Sequence, residues 1–170
     1  PRPMSHVKID LMDMSSVASA KGNKGYHWIL NIVDMHSRFA WSIPLKTKSA
    51  KIVAYELRRL FLVEGAPSTV GSDQGGEFKA EVNELANEMS FKMARSRPYS
   101  SSTQGLVEVF NKTLRGSLAR HTDEQGSRAW LPALHEVVGA YNRMKHSSHK
   151  MAPIEVLRGR KHVASLDNEV

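Results

Sequence analysis

The chain contains no cysteine. That excludes a disulfide framework, a thiol nucleophile, a Cys-based zinc finger and an iron–sulfur cluster, and it favours an intracellular setting. Long apolar runs are also missing: nothing approaches the roughly 20 residues of a membrane span, and the first six residues lack the apolar core of a signal peptide, so the sequence predicts a soluble chain with no membrane partner. Neither a Walker loop nor a dinucleotide fingerprint occurs, which argues against a nucleotide cofactor. Aromatic residues make up only 7% of the sequence. What is there is 170 residues, 41% of them hydrophobic. That length suits one domain over residues 1–170, and such a chain buries about 70% of the surface its unfolded form exposes. A start at Pro-Arg-Pro rather than Met reads as a piece of something longer.

Positive charge is in excess, and unevenly placed. Residues 1–91 carry 11 basic and 10 acidic side chains, whereas residues 92–170 carry 13 basic and 7 acidic ones. Nearly all of the net +7 therefore belongs to the C-terminal half. A field of that sign attracts polyanions, nucleic acid first and an anionic membrane second. On charge alone a merely solvated basic surface is an equal alternative.

Residues 6–14 alternate, with Val7, Ile9 and Leu11 on one face and Lys8, Asp10 and Met12 on the other, which is the period of a strand. A Gly- and Asn-containing turn at 21–25 precedes two more β-branched and aromatic runs, 26–34 and 38–44. Helical spacing follows at 49–64, with Ile52, Val53, Leu57, Leu60 and Phe61 on one face and Gly65-Ala66-Pro67 as the stop. The pattern then predicts a strand at 68–72, a helix at 78–89 with Phe78, Val82, Leu85 and Met89 inward, and a strand at 91–95. After a Ser-rich loop at 98–103 come a long helix from Gln104 to about His121, another at about 128–145 and a short one at 153–157. The order βββ-α-β-α-β-α-α defines an α/β fold, a mixed five-stranded sheet flanked by helices.

The acidic residues are informative by position. Asp10 lies within the first strand, Asp73 directly after the fourth, and Glu108 in the first turns of the long helix. Taken singly, each is an ordinary turn or capping residue. Taken together, a strand, a strand end and a helix start can converge on one sheet edge. Three carboxylates with no His or Cys beside them make a hard-oxygen site suited to Mg²⁺ or Mn²⁺ rather than zinc. His146 and His149 lack a third ligand, and His135-Glu136 lacks a second His at the metalloprotease spacing.

At this point the sequence resembles a known family. The segments VGSDQGGEF (70–78) and RPYSSSTQGLVEVFNKTL (97–114) are similar to the signature stretches of retroviral and long-terminal-repeat retrotransposon integrase cores. Glu108 stands 35 positions after Asp73, in keeping with the spacing for which that family's Asp, Asp, Glu triad is known. Similarity extends through HVKIDLMDMSS, WILNIVDMHSRFAWSIPLKTKSA and YNRMKHSSHKMAPIEVLRGR, so it covers nearly the whole chain. The resemblance implies a ribonuclease H-like fold. It also implies polynucleotidyl transfer: Mg²⁺-dependent 3′-end processing of an element's DNA, followed by strand transfer into target DNA. Asp10, Asp73 and Glu108 would hold two Mg²⁺ (or Mn²⁺) ions, about 4 Å apart, around the attacking and leaving oxygens of an in-line displacement. DNA is then the expected partner, with a homodimer or higher assembly and a nuclear location, the site of integration, after a cytoplasmic stage. The family's zinc-binding N-terminal and DNA-binding C-terminal domains would lie outside this chain. A host-domesticated copy acting in DNA binding or protein interaction, with idle chemistry, is the alternative.

Of the two aspartates in the first strand, the family pattern selects Asp10. Asp13, at an odd offset, points to the opposite face and reads as a strand-end residue. Asp34 matches a family position but suits turn formation. At 100° per residue from Glu108, Lys112, Arg115 and Asn111 share its side of the helix, while Val107, Phe110, Leu114 and Leu118 form the adjoining apolar stripe. Lys112 and Arg115 there can hold DNA phosphates, with Asn111 a further candidate contact to DNA; a surface Glu108–Lys112 pair is the bland alternative, and the resemblance, which places DNA-contacting basic residues at both matching positions, favours contact. By resemblance Tyr99 and Gln104, in the loop before the helix, also contact DNA. Gln74 and Ser101 depart from the usual Asn and Pro.

Overall fold

The computed structural model describes residues 2–17, 20–72, 79–95, 101–147 and 150–159, with the backbone alone for Lys79, Arg95 and residues 101–104. The first three strand runs form an antiparallel meander, β1 (His6–Asp13), β2 (Trp28–Asp34) and β3 (Ala40–Leu45). Helix α1 (Ala50–Glu64) then crosses over to β4 (Thr69–Ser72), and α2 (Lys79–Met89) leads to β5 (Lys92–Arg95). Both later strands add in parallel, giving the order β3-β2-β1-β4-β5 with β1 at the centre. The chain closes with α3 (Ser101–Glu124), α4 (Leu134–Arg143) and α5 (Pro153–Arg158). The expected mixed five-stranded sheet flanked by helices is what forms.

Period-2 alternation divides the core into two layers. Val7, Ile9 and Leu11 pack with Leu30, Ile32 and Val70 against Val53, Leu57 and Phe61 of α1 and Val82 and Leu85 of α2. Met12, Ile29, Val33 and Ala40 face the other way, onto Val107, Phe110, Leu114 and Leu118 of α3 and Leu134 and Val138 of α4. Burying a side chain of this size stabilises by about 1.5–3 kcal/mol, so these stripes fix which face each helix presents. Ile52 departs from expectation and is 36% exposed, because it lies 100° around α1 from Val53, outside the stripe that Val53, Leu57 and Phe61 define. Phe78 lies outside the described residues.

The bounds of α3 and α4 differ from those the sequence predicts. Helix α3 begins three residues earlier, since no proline follows Pro98 to stop it, and runs on to Glu124. It ends where Gly126 takes a left-handed φ of 61° and donates to the Asp123 carbonyl. Helix α4 begins at Leu134, not near residue 128. Pro132 disfavours helix at the residue before it. Buried Asn23 also claims that segment: its Nδ2 donates to the Val17 carbonyl (2.7 Å) and the Arg128 carbonyl (3.2 Å), and its Oδ1 accepts from the Leu131 N–H (3.1 Å). Beside it, Gly22 sits so close to Ala129 that an added Cβ would meet the Ala129 Cβ at 2.4 Å.

At the far end of α4, on the same buried stripe as Leu134 and Val138, Asn142 reaches the edge strand. Its Oδ1 accepts from the Ala40 N–H (2.9 Å) and its Nδ2 donates to the Ala40 carbonyl (2.8 Å). Among the described residues no helix is long and apolar enough to cross a membrane.

Candidate active site

Asp10 lies on the central strand, and the antiparallel register aligns it with Asn31 on β2, which aligns with Ser42 on β3. All three belong to the face turned toward α3 and α4, the face of Met12, Ile29, Val33 and Ala40. Asp13 falls on the opposite face, as its odd offset predicts. There it ends the strand, its Oδ1 accepting from the Ser15 N–H at 2.8 Å. The Ser15 hydroxyl and then its N–H hold the Asp13 carboxyl below the ordinary value of 3.8.

Helix α3 meets β1 and β2 through Val107, Phe110, Leu114 and Leu118, each at most 2% exposed. That packing sets the adjoining stripe, with Glu108, Lys112 and Arg115 exposed and Asn111 half-buried. The Asn111 amide turns toward the sheet. Its Nδ2 donates to Asp10 Oδ2 (2.6 Å), and its Oδ1 accepts from Asn31 Nδ2 (2.7 Å), whose Oδ1 accepts from the Ser42 hydroxyl (2.6 Å). A carboxylate only accepts, so every amide orientation along this line is fixed by its end point. Asn111, expected at DNA, therefore has both ends of its amide engaged within the protein. It lies one helical turn after Glu108, so the same bond that holds Asp10 anchors the Glu108 turn of α3 against β1 and β2.

Of the expected triad, then, Asp10 and Glu108 stand on elements joined by Asn111, while Asp73 lies outside the described residues. So does Tyr99. Gln104 is in the first turn of α3, with its side chain not described. Arg115 Nη2 donates to the Asp13 carbonyl (3.2 Å), which bridges α3 to the end of β1. Among the described residues no three His, Cys, Asp or Glu side chains converge as a metal site, the third expected carboxylate being Asp73. The donors that are described fit a hard divalent cation: oxygen from β1 and α3, with one Asp10 oxygen already fixed by an amide.

Sequence reasoning missed three residues on this face. Asn31 and Ser42 carry the hydrogen-bonded line across the sheet. Lys8 is 8% exposed, aligned with Gly71, and a Cβ at Gly71 would lie 3.4 Å from the Lys8 Cγ and Cε. The signal for Asn31 was an amide interrupting the otherwise apolar run WILNIVD; a polar residue at a fully buried strand position needs partners. Asp34 behaves as expected of a turn: buried, it accepts from the Ser37 N–H (2.9 Å), the Ser37 hydroxyl (2.6 Å) and the Met4 N–H (3.1 Å). His146 approaches the Tyr141 hydroxyl at 3.4 Å, and burial pushes that phenol up to about 12. His149 is outside the described residues.

A five-stranded mixed sheet in this order, with an aspartate on the central strand facing the polar stripe of a long helix, defines a ribonuclease H-like α/β domain. The model of the integrase core domain family matches residues 1–101, more than half of the sequence, and the chain belongs to that family. It is 29% identical over 160 residues to the Gag-Pol polyprotein of feline leukemia virus, covering 93% of this chain and 9% of that protein. It is 27% identical over 169 residues to the human KRAB-A domain-containing protein 2, covering 95% of this chain and 34% of that one. The chain thus spans from about a tenth to a third of these curated relatives. Among solved structures, the HTLV-2 integrase catalytic core domain in complex with magnesium, in its trimeric form, superposes with a TM-score of 0.71 at 15% identity, covering 91% of this chain and 97% of that one.

Proposed function

We propose that this chain is the catalytic core of a DNA integrase that carries out Mg²⁺-dependent 3′-end processing and strand transfer. The observation that carries this reading is the Asn111 bridge, which fastens the Glu108 helix to the Asp10 strand although the two lie about a hundred residues apart in sequence. Asp10, Asp73 and Glu108 are the residues to hold two Mg²⁺ (or Mn²⁺) ions, which when bound supply Lewis-acid stabilisation of the charge that develops on the phosphodiester. Asn111 orients Asp10. Lys112 and Arg115, exposed beside Glu108, bind backbone phosphates and align the strand, and Tyr99 and Gln104 are the remaining proposed contacts to DNA beside the scissile phosphate. The outer side of α1 leaves Ile52, Tyr55, Leu62 and Val63 exposed, which supports assembly as a homodimer or higher oligomer. The expected location is the nucleus. The test is strand transfer in Mg²⁺ by the full-length protein against its Asp73→Asn and Glu108→Gln variants: activity is expected to vanish in both, and equal activity in all three would sink the assignment.

The human relative, named for a KRAB-A domain, supports a second reading, a host-domesticated module that binds DNA or protein with little or no catalysis. Under that reading the wild-type protein binds DNA yet transfers no strand in Mg²⁺.

A further inference from the structure

We infer that Ser42 and Asn31 are positioning residues for Asp10, acting through Asn111. The four side chains come from β3, β2, α3 and β1, and their hydrogen bonds all run one way: Ser42 hydroxyl to Asn31 Oδ1, Asn31 Nδ2 to Asn111 Oδ1, Asn111 Nδ2 to Asp10 Oδ2, at 2.6, 2.7 and 2.6 Å. Every donor points toward the carboxylate. Such a head-to-tail line polarises each bond in the same sense, and it admits no flipped amide without two acceptors facing each other. Asn31 is fully buried between Ile29 and Val33 on an apolar strand, so its amide serves no surface purpose. Its cost in that setting is offset only by the partners it joins. The register explains why the line can form at all, because Asp10, Asn31 and Ser42 are direct cross-strand neighbours on one face. The relay has two consequences: it selects which Asp10 oxygen is engaged and how the carboxylate plane is turned, and it ties α3 to three strands at the turn that follows Glu108.

This inference rests on the proposed metal-dependent reading, and the test separates the two. Mn²⁺ affinity of the protein is measured by titration, alongside the ¹⁵N–¹H resonances of the Asn111 side-chain amide and the melting temperature, for wild type, Asn31→Val, Ser42→Ala, Ser42→Thr and Asp10→Asn. Outer partners of a metal-binding carboxylate typically govern affinity by about 10- to 100-fold. Asn31→Val is expected to weaken Mn²⁺ binding by about tenfold or more and to shift the Asn111 amide. Ser42→Ala should do the same to a smaller degree, and Ser42→Thr, which keeps the hydroxyl, should restore both readouts. Valine suits a buried strand, so folding is retained; if it is not, the Ser42 pair carries the test by itself. Wild-type Mn²⁺ affinity in folded Asn31→Val and Ser42→Ala, with Asp10→Asn losing it, overturns the relay alone. Wild-type affinity in Asp10→Asn overturns the metal reading as well.

Discussion

Replacing Asn142 by Leu should unfasten the edge of the sheet. In the antiparallel β2–β3 pair, Phe39 bonds back to Asp34, so the next residue, Ala40, turns its N–H and C=O away from β2. Asn142 meets both groups, at 2.9 and 2.8 Å, and so does for one residue what a sixth strand would do. Ala40 is 1% exposed and Asn142 5%. Leu has the same branched outline, is bulkier and leaves no room for a water, so the two lost bonds, net about 1 kcal/mol each, come with two buried unpaired backbone groups at about 1–3 kcal/mol each. Leu recovers part of this by its greater burial. A net loss of about 3–5 kcal/mol follows, or about 6–20 °C in melting temperature for a domain of this size. Urea denaturation should show a lower midpoint at unchanged slope, and hydrogen exchange should show the Ala40 amide losing its protection. A cost below about 1 kcal/mol with the Ala40 amide still protected would refute the edge-closing role.

Other expectations follow from single contacts. Gly22→Val places a Cβ 2.4 Å from that of Ala129 and should cost about 1–3 kcal/mol, with most of the loss recovered in the Gly22→Val/Ala129→Gly double variant; additive losses in a double-mutant cycle would contradict the contact. The Asp13 carboxyl is held below its unfolded value, so the stability it lends is present above about pH 3.9 and is lost as pH falls through its folded value. The melting-temperature gap between wild type and Asp13→Asn should therefore narrow in acid, and a gap that persists unchanged to pH 2 would count against it. Lys112→Ala and Arg115→Ala should each reduce the slope of log affinity for duplex DNA against log salt by about 0.9, measured by fluorescence anisotropy; an unchanged slope would place those cations away from phosphate.

Much of the fold was legible because its signals are local. Alternation in residues 6–14 assigned the faces of the first strand, apolar β-branched and aromatic runs marked the next two, and the Val107, Phe110, Leu114, Leu118 stripe gave the orientation of α3, and with it the stripe that bears Glu108. What escaped depends on residues distant in sequence. Nothing near residue 128 announces that Asn23, about a hundred positions earlier, keeps that segment out of a helix. Ser42 and Asn142 look like ordinary polar residues until register and packing supply their partners, and Asn31 stands out in its apolar run without showing what it bonds to. Asn111 shows the same limit in reverse: helical angle put it on the right face, but only the sheet beneath it turns its amide inward.

The strand order bears on how the chain reaches this structure. The β1–β2–β3 meander is closed by connections over residues 14–27 and 35–39 with no α-helix between its strands, whereas β4 and β5 join in parallel across whole helices, so the meander is the part of lower contact order and the expected nucleus. Asp10, Asn31 and Ser42 all lie within it. Three members of the polar row can thus be in register before α3 docks, and the bond from Asn111 closes last. Its side-chain amide is a built-in reporter of the final docking step, with conservative substitutions there expected to speed unfolding while leaving the folding rate nearly unchanged.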